Sequence, residues 1–256
     1  MSPESITLLI PLAGPSSFFD KENYPYPKPL IEIAGKPMIQ LVWDGLQHLP
    51  NKIRPVFVIR REDVLRFHLD NTLRLVAGKD SQIVILENET MGAACTCLMA
   101  IDHFDPHSQL LIVNGDQIIE DALPSALKHF VEGRFDAGVV TFPSVHPKWS
   151  YVRTDDRENV VEAAEKNPIS RNAIAGAYWF SQGDFFTESA FLSIRHGAAV
   201  NGLYFLAPVL NELILANRRV GHFGIQAAQY HSFYSPQKIR DFEQLKMADF
   251  RSGGNP

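Results

Sequence analysis

Side chains that suit phosphate and metal chemistry occur at several separated points of the sequence. Gly14 to Ser17 form a polar turn directly after an apolar run, Lys28 lies between two prolines, and Asp116 closes a second apolar run. Backbone N–H groups in a turn can bind phosphate, and a lysine ammonium neutralises phosphate charge. Mg²⁺ is usually held by one or two carboxylates together with substrate phosphates. These residue types predict a site for a phosphorylated ligand and a divalent cation.

Each of these residues also has a simpler interpretation. Asp116 could instead be the N-cap of a following helix, although the sharp Val113-Asn114-Gly115-Asp116 strand end favours a ligand role. Lys28 would serve equally as a solvated loop lysine, although flanking prolines favour a fixed position. Glu165-Lys166 is either a surface charge pair or an acid and a lysine that contact a phosphorylated metabolite. Gly92-Ala93 lies where small residues let a flat ligand approach. It is the combination of these residues that favours a ligand site.

The elements that position these residues follow from hydrophobic periodicity. Strands are predicted over 6–12, 55–59, 82–86 and 109–113, and they alternate with helices over 38–46 and 61–76. This alternation is typical of a parallel, doubly wound sheet, which binds ligands at the carboxyl ends of its strands. The second half is expected to extend the same sheet with antiparallel strands. Strands are predicted over 136–142, 151–154, 160–164, 173–180, 220–225 and 229–233, and helices over 181–195, 205–216 and 236–250.

Composition excludes several classes of protein. The chain has 256 residues, of which 45% are hydrophobic, so it can bury a substantial core as one α/β domain. A net charge of −5 argues against a nucleic-acid-binding surface. The two cysteines, Cys95 and Cys97, are expected to be small core residues on a helix rather than metal ligands. No apolar run approaches the ~18 residues of a membrane span, so we expect a cytoplasmic protein without a membrane partner.

The polar turn and the lysine belong to a longer series of motifs. The segments are Leu12-Ala13-Gly14-Pro15-Ser16-Ser17-Phe18, Pro27-Lys28-Pro29-Leu30, Gly35-Lys36-Pro37-Met38, Asn114-Gly115-Asp116, Trp149-Ser150-Tyr151-Val152, Glu165-Lys166 and 172–178. In this order they resemble the sugar-phosphate nucleotidyltransferases, also called nucleoside-diphosphate-sugar pyrophosphorylases. That family carries Leu-Ala-Gly-Gly-x-Gly-Thr/Ser-Arg, Pro-Lys-Pro-Leu, Gly-Lys-Pro-Met, a metal-binding acid, Tyr-Gly-Val-Val, Glu-Lys-Pro and Asn-x-Ala-x-x-Gly-x-Tyr. The resemblance covers about residues 6 to 245.

The resemblance implies a three-layer α/β fold with a mostly parallel mixed sheet, the Rossmann-like nucleotidyltransferase fold of GT-A type. It implies a single domain over residues 1–256, with a nucleotide-binding half at about 1–135 and an acceptor-binding half at about 136–256. A homo-oligomer is compatible with the family.

The resemblance also implies a reaction and roles for residues. CTP, UTP or dTTP would lie over the opening loop, while the acceptor's phosphate attacks the α-phosphorus and pyrophosphate leaves. Lys28 would neutralise charge near the transferred group, Asp116 would bind Mg²⁺ or Mn²⁺, and Lys166 would hold the acceptor phosphate. Gly92 would admit the base, and Glu165 would contact the acceptor body. Other implied contacts to the nucleotide are Leu12, Ala13, Gly14, Pro15, Ser16, Ser17, Glu87, Ala93 and Asn114, and others to the acceptor are Asn172 and Gly176.

Three residues depart from the family pattern. Ser16 replaces the second loop glycine and Phe18 replaces the loop arginine, so a bidentate grip on pyrophosphate is missing. Ser232 stands where the family has a second metal-binding acid. Another residue, such as Asn201, or the substrate would then have to supply the missing ligand. The departures indicate a divergent branch whose acceptor need not be a sugar phosphate.

The expected function is transfer of a nucleoside monophosphate to a sugar phosphate or a phosphocholine-like compound, for surface polysaccharide or capsule biosynthesis. Two alternatives remain open at this point. One is a nucleotide-sugar glycosyltransferase on the same fold, which would normally carry Asp-x-Asp where this chain has Asn114-Gly115-Asp116. The other is a non-catalytic nucleotide- or sugar-binding paralogue, suggested by Phe18 and Ser232.

Overall fold

A computed structural model describes residues 5–50 and 52–251, and the chain end at 252–256, where the sequence predicts fraying, lies outside this range. The strands are β1 (Ser5–Pro11), β2 (Glu32–Ile33), β3 (Lys36–Pro37), β4 (Lys52–Arg60), β5 (Gln82–Leu86), β6 (Gln109–Val113), β7 (Gln117–Ile119), β8 (Ala137–Pro143), β9 (Ser150–Thr154), β10 (Val160–Glu165), β11 (Asn172–Phe180), β12 (Val220–Gly224) and β13 (Tyr230–Ser232). The helices are α1 (Met38–Leu46), α2 (Arg61–Phe67), α3 (Leu69–Ala77), α4 (Ala93–Leu98), α5 (Leu123–Glu132), α6 (Gly183–Arg195), α7 (Leu206–Leu215) and α8 (Pro236–Arg251).

The described residues contain a nine-stranded mixed sheet in the order β10-β9-β11-β6-β1-β4-β5, with β8 on the other side of β11 and β12 beside β8. Strands β6, β1, β4 and β5 are parallel, as the alternating pattern predicts. Strand β11 runs antiparallel to β6 and β8, and the β9-β10 hairpin pairs with its first residues. Strands β8 to β11 therefore extend the parallel first half with antiparallel pairing, as predicted. Two later strands differ from the prediction, because β12 runs parallel to β8 and β13 pairs with β7 outside the main sheet.

Helices cover both faces of the sheet, which explains the nearly continuous apolar runs of its strands. In β1, Ile6, Leu8 and Ile10 pack on the face covered by α1, α3 and α5. Leu9 packs on the opposite face with α4, α6 and α7. Two buried layers around one sheet give the three-layer α/β architecture predicted from the sequence. In the described part of the chain, no helix is long and apolar enough to cross a membrane.

Three helical elements also differ from the sequence-based expectation. The helix predicted over 61–76 is two helices, because His68 adopts a left-handed conformation with φ 51° and its N–H closes α2 on the Val64 carbonyl at 3.0 Å. The break lets α3 bury Leu69 and Leu73 while Leu65 stays 67% exposed.

Helix α5 was not predicted, and α6 begins at Gly183 with Gln182 as its N-cap rather than Ser181. The Ser181 N–H instead donates to the Asp136 carbonyl at 2.9 Å, which continues the pairing of β11 with the chain just before β8. Tertiary pairing of the backbone thus outweighs the local capping preference of serine.

Candidate active site

The carboxyl ends of β1 and β6 bring the opening loop next to the segment that carries Asp116. Leu12 continues the sheet, since its N–H donates to the Val58 carbonyl at 2.8 Å. A Cβ on Gly115 would overlap the side chain of Leu12 and lie 3.2 Å from Cγ2 of Ile10. The two loops therefore touch at the edge of the sheet where α/β folds bind ligands.

Lys28 and Asp116 form a direct ion pair across 88 residues of sequence. Lys28 is held in a 3-10 turn in which Pro29 is buried and the Leu30 N–H donates to the Pro27 carbonyl at 2.8 Å. The side chains of Lys28 and Asp116 are 20% and 25% exposed, so both can reach a ligand. The prolines thus fix the lysine beside the strand-end acid, as their restriction of the loop suggests.

Gly176 contacts Asn114 and Gln117, and it lies on β11 between the residues that pair with β6 and those that pair with β9. Its φ is +62°, and its carbonyl accepts from the Asn114 N–H at 3.0 Å. A Cβ here would lie 2.5 Å from Nδ2 of Asn114 and 2.8 Å from Nε2 of Gln117. Only glycine fits this backbone without strain, and its position joins the nucleotide-side and acceptor-side segments.

Gln117 and Tyr230 complete the centre of the site, and the sequence interpretation assigned neither a role. The buried Gln117 amide donates to the Ala175 carbonyl and accepts from the Tyr230 hydroxyl at 3.1 Å. Burial, and then the nearby charge of Asp116, raise the pKa of Tyr230, which keeps its hydroxyl neutral. The available sequence signal was a glutamine opening an otherwise apolar strand directly after the acid.

Ser232 is a close neighbour of Asp116, although the two lie far apart in sequence. Ser232 pairs with Gln117 between β13 and β7, and the Phe233 N–H donates to the Asp116 carbonyl at 2.7 Å. The position at which the related family carries its second acid is therefore placed beside the first acid. Here it offers a hydroxyl instead of a carboxylate.

Phe18 is 66% exposed and meets Tyr234 edge to face, with ring centroids 5.6 Å apart. The Lys148 ammonium lies 3.7 Å from the Tyr234 ring centroid and 4.1 Å from that of Trp149. A hydrogen bond from Lys148 lowers the pKa of Tyr234. Phe18 thus links the opening loop to an aromatic wall on the acceptor side.

Glu165 is the last residue of β10 and Lys166 follows it, but their side chains contact different neighbours. The Ser150 hydroxyl donates to the Glu165 carboxylate. Lys166 is exposed, has φ 54°, and places its ammonium 4.7 Å from the Phe205 ring centroid. Among the described residues, Lys166 forms no ion pair with Asp116. The two lysines assigned to phosphate binding therefore occupy separate places.

Burial raises the pKa of Glu165 above its ordinary value near 4.5, while Ser150 and Lys166 partly oppose the shift. The folded protein then retains a proton that the unfolded chain loses, so the free energy of unfolding falls as pH rises through that window. Glu165→Gln removes this ionisation. We expect its stability relative to wild type to increase from about pH 4.5 upwards and to level off above the raised pKa.

Chemical denaturation between pH 4 and 8 measures this difference, with about unit steps in pH. Glu162→Gln is the control, because Glu162 lies on the same strand and pairs with Arg153 at 2.6 Å on the surface. A stability difference for Glu165→Gln that does not change with pH would contradict the expected ionisation.

Gly92 has φ +111°, and the backbone of Tyr204 fills the space next to its Cα. Tyr204 donates to the Met91 carbonyl at 2.7 Å, and the Ala94 N–H donates to the Tyr204 carbonyl at 3.0 Å. This packing by itself requires a glycine at position 92. That Gly92 and Ala93 admit the nucleotide base stays a prediction. A contact of Glu87 with the base also stays a prediction; its carboxylate pairs with the Arg61 guanidinium at 2.5 Å.

Gly92→Ala should lower the free energy of unfolding by about 3 kcal/mol, because its Cβ would overlap the Tyr204 backbone and its φ is unfavourable for alanine. Gly78→Ala is the matched control. Its φ is +97°, but a Cβ there would meet no described atom within 4 Å, so we expect a loss of only about 1 kcal/mol. Denaturant unfolding of both variants checks this. Equal losses would mean that the contact with Tyr204 has no energetic effect.

The remaining predicted residues line the same edge of the sheet. Gly14, Pro15 and Ser17 are exposed, and the Ser16 carbonyl accepts from the Phe19 N–H at 3.0 Å. Asn172 opens β11, with its N–H on the Ser170 hydroxyl at 2.9 Å. Away from the site, Cys97 is buried in α4 as expected for a core residue, and burial raises the pKa of its thiol.

Asp116 is the acid available for a divalent cation at this site. Within the described residues, no group of three or more His, Cys, Asp and Glu side chains could hold a metal ion. A cation that keeps most of its ligands as water and phosphate oxygens needs only one or two carboxylates. The Asp116 carboxylate therefore fits a magnesium-type ion that arrives with a nucleoside triphosphate, and backbone pairing places Ser232 opposite the next residue, Gln117.

Comparisons with known proteins identify the family of the chain and relatives of its sequence and fold. A family profile described as "Nucleotidyl transferase" matches residues 24–218. The chain is 30% identical over 160 residues to the bifunctional protein GlmU of Methanocaldococcus jannaschii, covering 61% of this chain and 35% of GlmU. It is 26% identical over 164 residues to the UTP–glucose-1-phosphate uridylyltransferase AglF of Haloferax volcanii, covering 62% of this chain and 65% of AglF. The chain thus spans about a third of GlmU and about two thirds of AglF.

Solved structures show the same fold. A nucleoside-diphosphate-sugar pyrophosphorylase from Vibrio cholerae RC9 matches with a TM-score of 0.80 at 22% identity, covering 93% of this chain and 99% of that one. The inositol-1-phosphate CTP transferase from T. maritima matches with a TM-score of 0.72 at 15% identity, covering 100% of both. The predicted nucleotidyltransferase fold is confirmed. Because the family profile covers most of the chain, the protein belongs to the nucleotidyl transferase family.

Proposed function

We propose that the protein transfers a nucleoside monophosphate from CTP, UTP or dTTP to the phosphate of a small-molecule acceptor and releases pyrophosphate. The acceptor is a sugar phosphate or another small phosphorylated compound, including the phosphocholine-like class. The observation that carries the proposal is the ion pair of Lys28 and Asp116 at the carboxyl edge of the sheet. This ion pair brings an ammonium next to the carboxylate that we propose for metal binding.

Such a reaction needs positioning and charge neutralisation more than a protein nucleophile. An acceptor phosphate oxygen attacks the α-phosphorus, and the bond to the pyrophosphate oxygen breaks. Lys28 neutralises charge on the transferred phosphoryl group, and Lys166 holds the acceptor phosphate. The carbonyl of Gly176 is held by the Asn114 N–H, which keeps the two halves of the site in register.

The proposed metal ion is Mg²⁺ or Mn²⁺, held by Asp116, the Ser232 hydroxyl and phosphate oxygens. When bound, such an ion neutralises phosphate charge and orients the triphosphate. We further propose that Leu12, Ala13, Gly14, Pro15, Ser16 and Ser17 contact the triphosphate, that Glu87, Gly92, Ala93 and Asn114 lie around the nucleoside, and that Glu165, Asn172 and Gly176 contact the acceptor.

The replacement of the loop arginine by Phe18 has a consequence for product release. Phe18 contacts Tyr234 and offers no hydrogen-bond donor to a phosphate. An arginine would bind pyrophosphate bidentately, so we expect this protein to hold pyrophosphate weakly and to run the reverse reaction poorly.

The names of relatives support the substrate class. AglF is a UTP–glucose-1-phosphate uridylyltransferase, and one structural neighbour is an inositol-1-phosphate CTP transferase. Both are named for transfer of a nucleotide to a phosphorylated polyol or sugar. We propose a cytoplasmic role in surface polysaccharide or capsule assembly. The chain would act as a single domain, with a nucleotide-binding half at about 1–135 and an acceptor-binding half at about 136–256. A homo-oligomer stays a prediction.

The deciding experiment is an assay of pyrophosphate release. The protein is incubated with CTP, UTP or dTTP, with Mg²⁺ or Mn²⁺, and with a panel of phosphorylated sugars, polyols and phosphocholine. We expect pyrophosphate and a nucleoside-diphosphate product with at least one combination. Measurable nucleotide binding without pyrophosphate release in any combination would argue for a non-catalytic paralogue, and transfer of sugar from a nucleotide sugar would argue for a glycosyltransferase.

A further inference from the structure

A cavity of about 380 Å³ lies among residues of the second half of the chain and reaches Ser232, which pairs with Gln117, the residue after Asp116. Its lining includes Phe142, Lys148, Trp149, Tyr230, Ser232 and Tyr234. Ser232 connects the cavity to the centre of the site, because the next residue, Phe233, donates its N–H to the Asp116 carbonyl at 2.7 Å. An acceptor whose phosphate lies near Asp116 would therefore extend its other end into this cavity.

The aromatic rings of the cavity hold one another in place. Phe142 and Tyr230 have ring centroids 4.4 Å apart at 32°, and Trp149 meets Phe142 at 5.5 Å and Tyr230 at 5.6 Å. Tyr234 meets Trp149 at 6.1 Å. A wall of ring faces and edges built in this way suits the C–H faces of a compact polyol or sugar.

The Lys148 ammonium is fixed within this wall, 3.7 Å from the Tyr234 centroid and 4.1 Å from the Trp149 centroid. Among the described residues, Lys148 forms no ion pair with a carboxylate. The second lysine of the lining, Lys238, does, because Asp241 lies 2.9 Å from its ammonium. Lys148 thus brings a positive charge into the cavity. Aromatic rings hold the ammonium in position, and no carboxylate of the described residues neutralises its charge.

Lys148 and Lys166 are two separate cations on the acceptor half. Lys166 rests on Phe205 at 4.7 Å, whereas Lys148 rests on Trp149 and Tyr234. If Lys166 holds the reacting phosphate, as proposed above, Lys148 is left for a different group. A cationic group such as trimethylammonium would be repelled by the Lys148 ammonium, whereas an anionic group would be attracted.

We propose that Lys148 determines acceptor specificity by binding a second anionic group, a carboxylate or a second phosphate, at the end of the acceptor away from the reacting phosphate. This inference rests on the proposed function, of which it names the substrate class. Trp149 and Tyr230 flank the body of the acceptor, and Ser232 lies at the end of the cavity nearest Asp116.

Acceptor binding tests the proposal without requiring turnover. Calorimetric titration with glucose 1-phosphate, glucuronic acid 1-phosphate, glucose 1,6-bisphosphate and phosphocholine compares a neutral, a carboxylate, a phosphate and a cationic distal group. We expect the wild type to bind at least one of the two anionic acceptors about 10-fold more tightly than glucose 1-phosphate, and phosphocholine least well. The carboxylate and bisphosphate arms tell which anion is preferred.

Variants of Lys148 assign the preference. Lys148→Met keeps the length of the side chain but not its charge, so the ratio of affinities should fall towards one, whereas Lys148→Arg should retain it. Lys246→Met is the matched control, since Lys246 lies 5.4 Å from the Phe242 ring centroid and outside the cavity. Thermal unfolding of each variant verifies that it folds. Where turnover is measurable, the loss should appear in KM for the anionic acceptor rather than in kcat.

An equal affinity of the wild type for all four acceptors would overturn the proposal, as would an anionic preference that survives in Lys148→Met. A protein that shows the preference but releases no pyrophosphate would contradict the proposed transfer reaction and not the assignment of Lys148. The two proposals can therefore fail separately.

Discussion

Lys28→Ala should lower kcat for pyrophosphate release by about 10²- to 10³-fold, with a smaller change in KM for the nucleotide. The Lys28 ammonium is positioned by a proline-framed turn and faces the strand-end acid, so its charge is preorganised for the transferred phosphoryl group. An interaction that is stronger in the transition state than in the ground state raises kcat, so its loss lowers kcat. Initial rates at saturating nucleotide and acceptor measure this loss.

Lys36→Ala is the control for this variant. Lys36 also lies in a lysine-proline motif, but its ammonium pairs with Asp44 at 2.8 Å and its side chain is 54% exposed. We expect its rate to stay close to that of the wild type. The Lys28 side chain is only 20% exposed, and its removal leaves the Asp116 carboxylate unpaired, so it should cost about 1 to 3 kcal/mol of stability, which denaturant unfolding can verify. A folded Lys28→Ala protein with a near-normal kcat would remove Lys28 from the proposed mechanism.

Asp116→Asn should lower kcat by about 10²-fold or more and raise the Mg²⁺ concentration needed for half-maximal rate. The described residues contain no group of three or more His, Cys, Asp and Glu side chains that could hold a metal ion in place of this carboxylate. The adjacent Ser232 supplies a neutral oxygen, which binds a divalent cation more weakly than a carboxylate. Rates measured as a function of Mg²⁺ and Mn²⁺ concentration separate a metal effect from a general loss of activity.

Asp44→Asn is the corresponding control, because it removes an acid of a surface ion pair with Lys36. The double variant Lys28→Ala/Asp116→Asn adds a second comparison. If the two side chains act on the same phosphates, the double variant should lose much less than the product of the two single losses. A rate for Asp116→Asn that shows an unchanged Mg²⁺ dependence would exclude Asp116 as the metal-binding acid.

Local patterns were sufficient to predict the architecture of the first half of the chain. Apolar runs that end in polar turns predict β1, β4, β5 and β6, and the alternation of these strands with helices predicts that they are parallel. Their order in the sheet, β6-β1-β4-β5, differs from the order in the chain and does not follow from this alternation. The break at His68 was not predictable in this way, because both sides of it carry helical periodicity and only the burial of Leu69 and Leu73 decides where the chain turns. Helix α5 was overlooked, although Pro124 at its first turn is a usable start signal.

For the active site, the sequence by itself determined which residues we propose for the chemistry: a proline-framed Lys28, a strand-end Asp116 and an unusual Phe18. Residue type and adjacent residues are local properties, so they can be read directly from the chain. Only the tertiary structure decided that Gly176 meets Asn114, that Gln117 bonds to Tyr230, and that Lys148 rests between Trp149 and Tyr234. Most of these contacts join strands and loops that are far apart in sequence. Lys148 and Trp149 are adjacent in sequence, but both contact Tyr234, which lies more than 80 residues later in the chain. They depend on sheet order and side-chain packing, which no local pattern specifies.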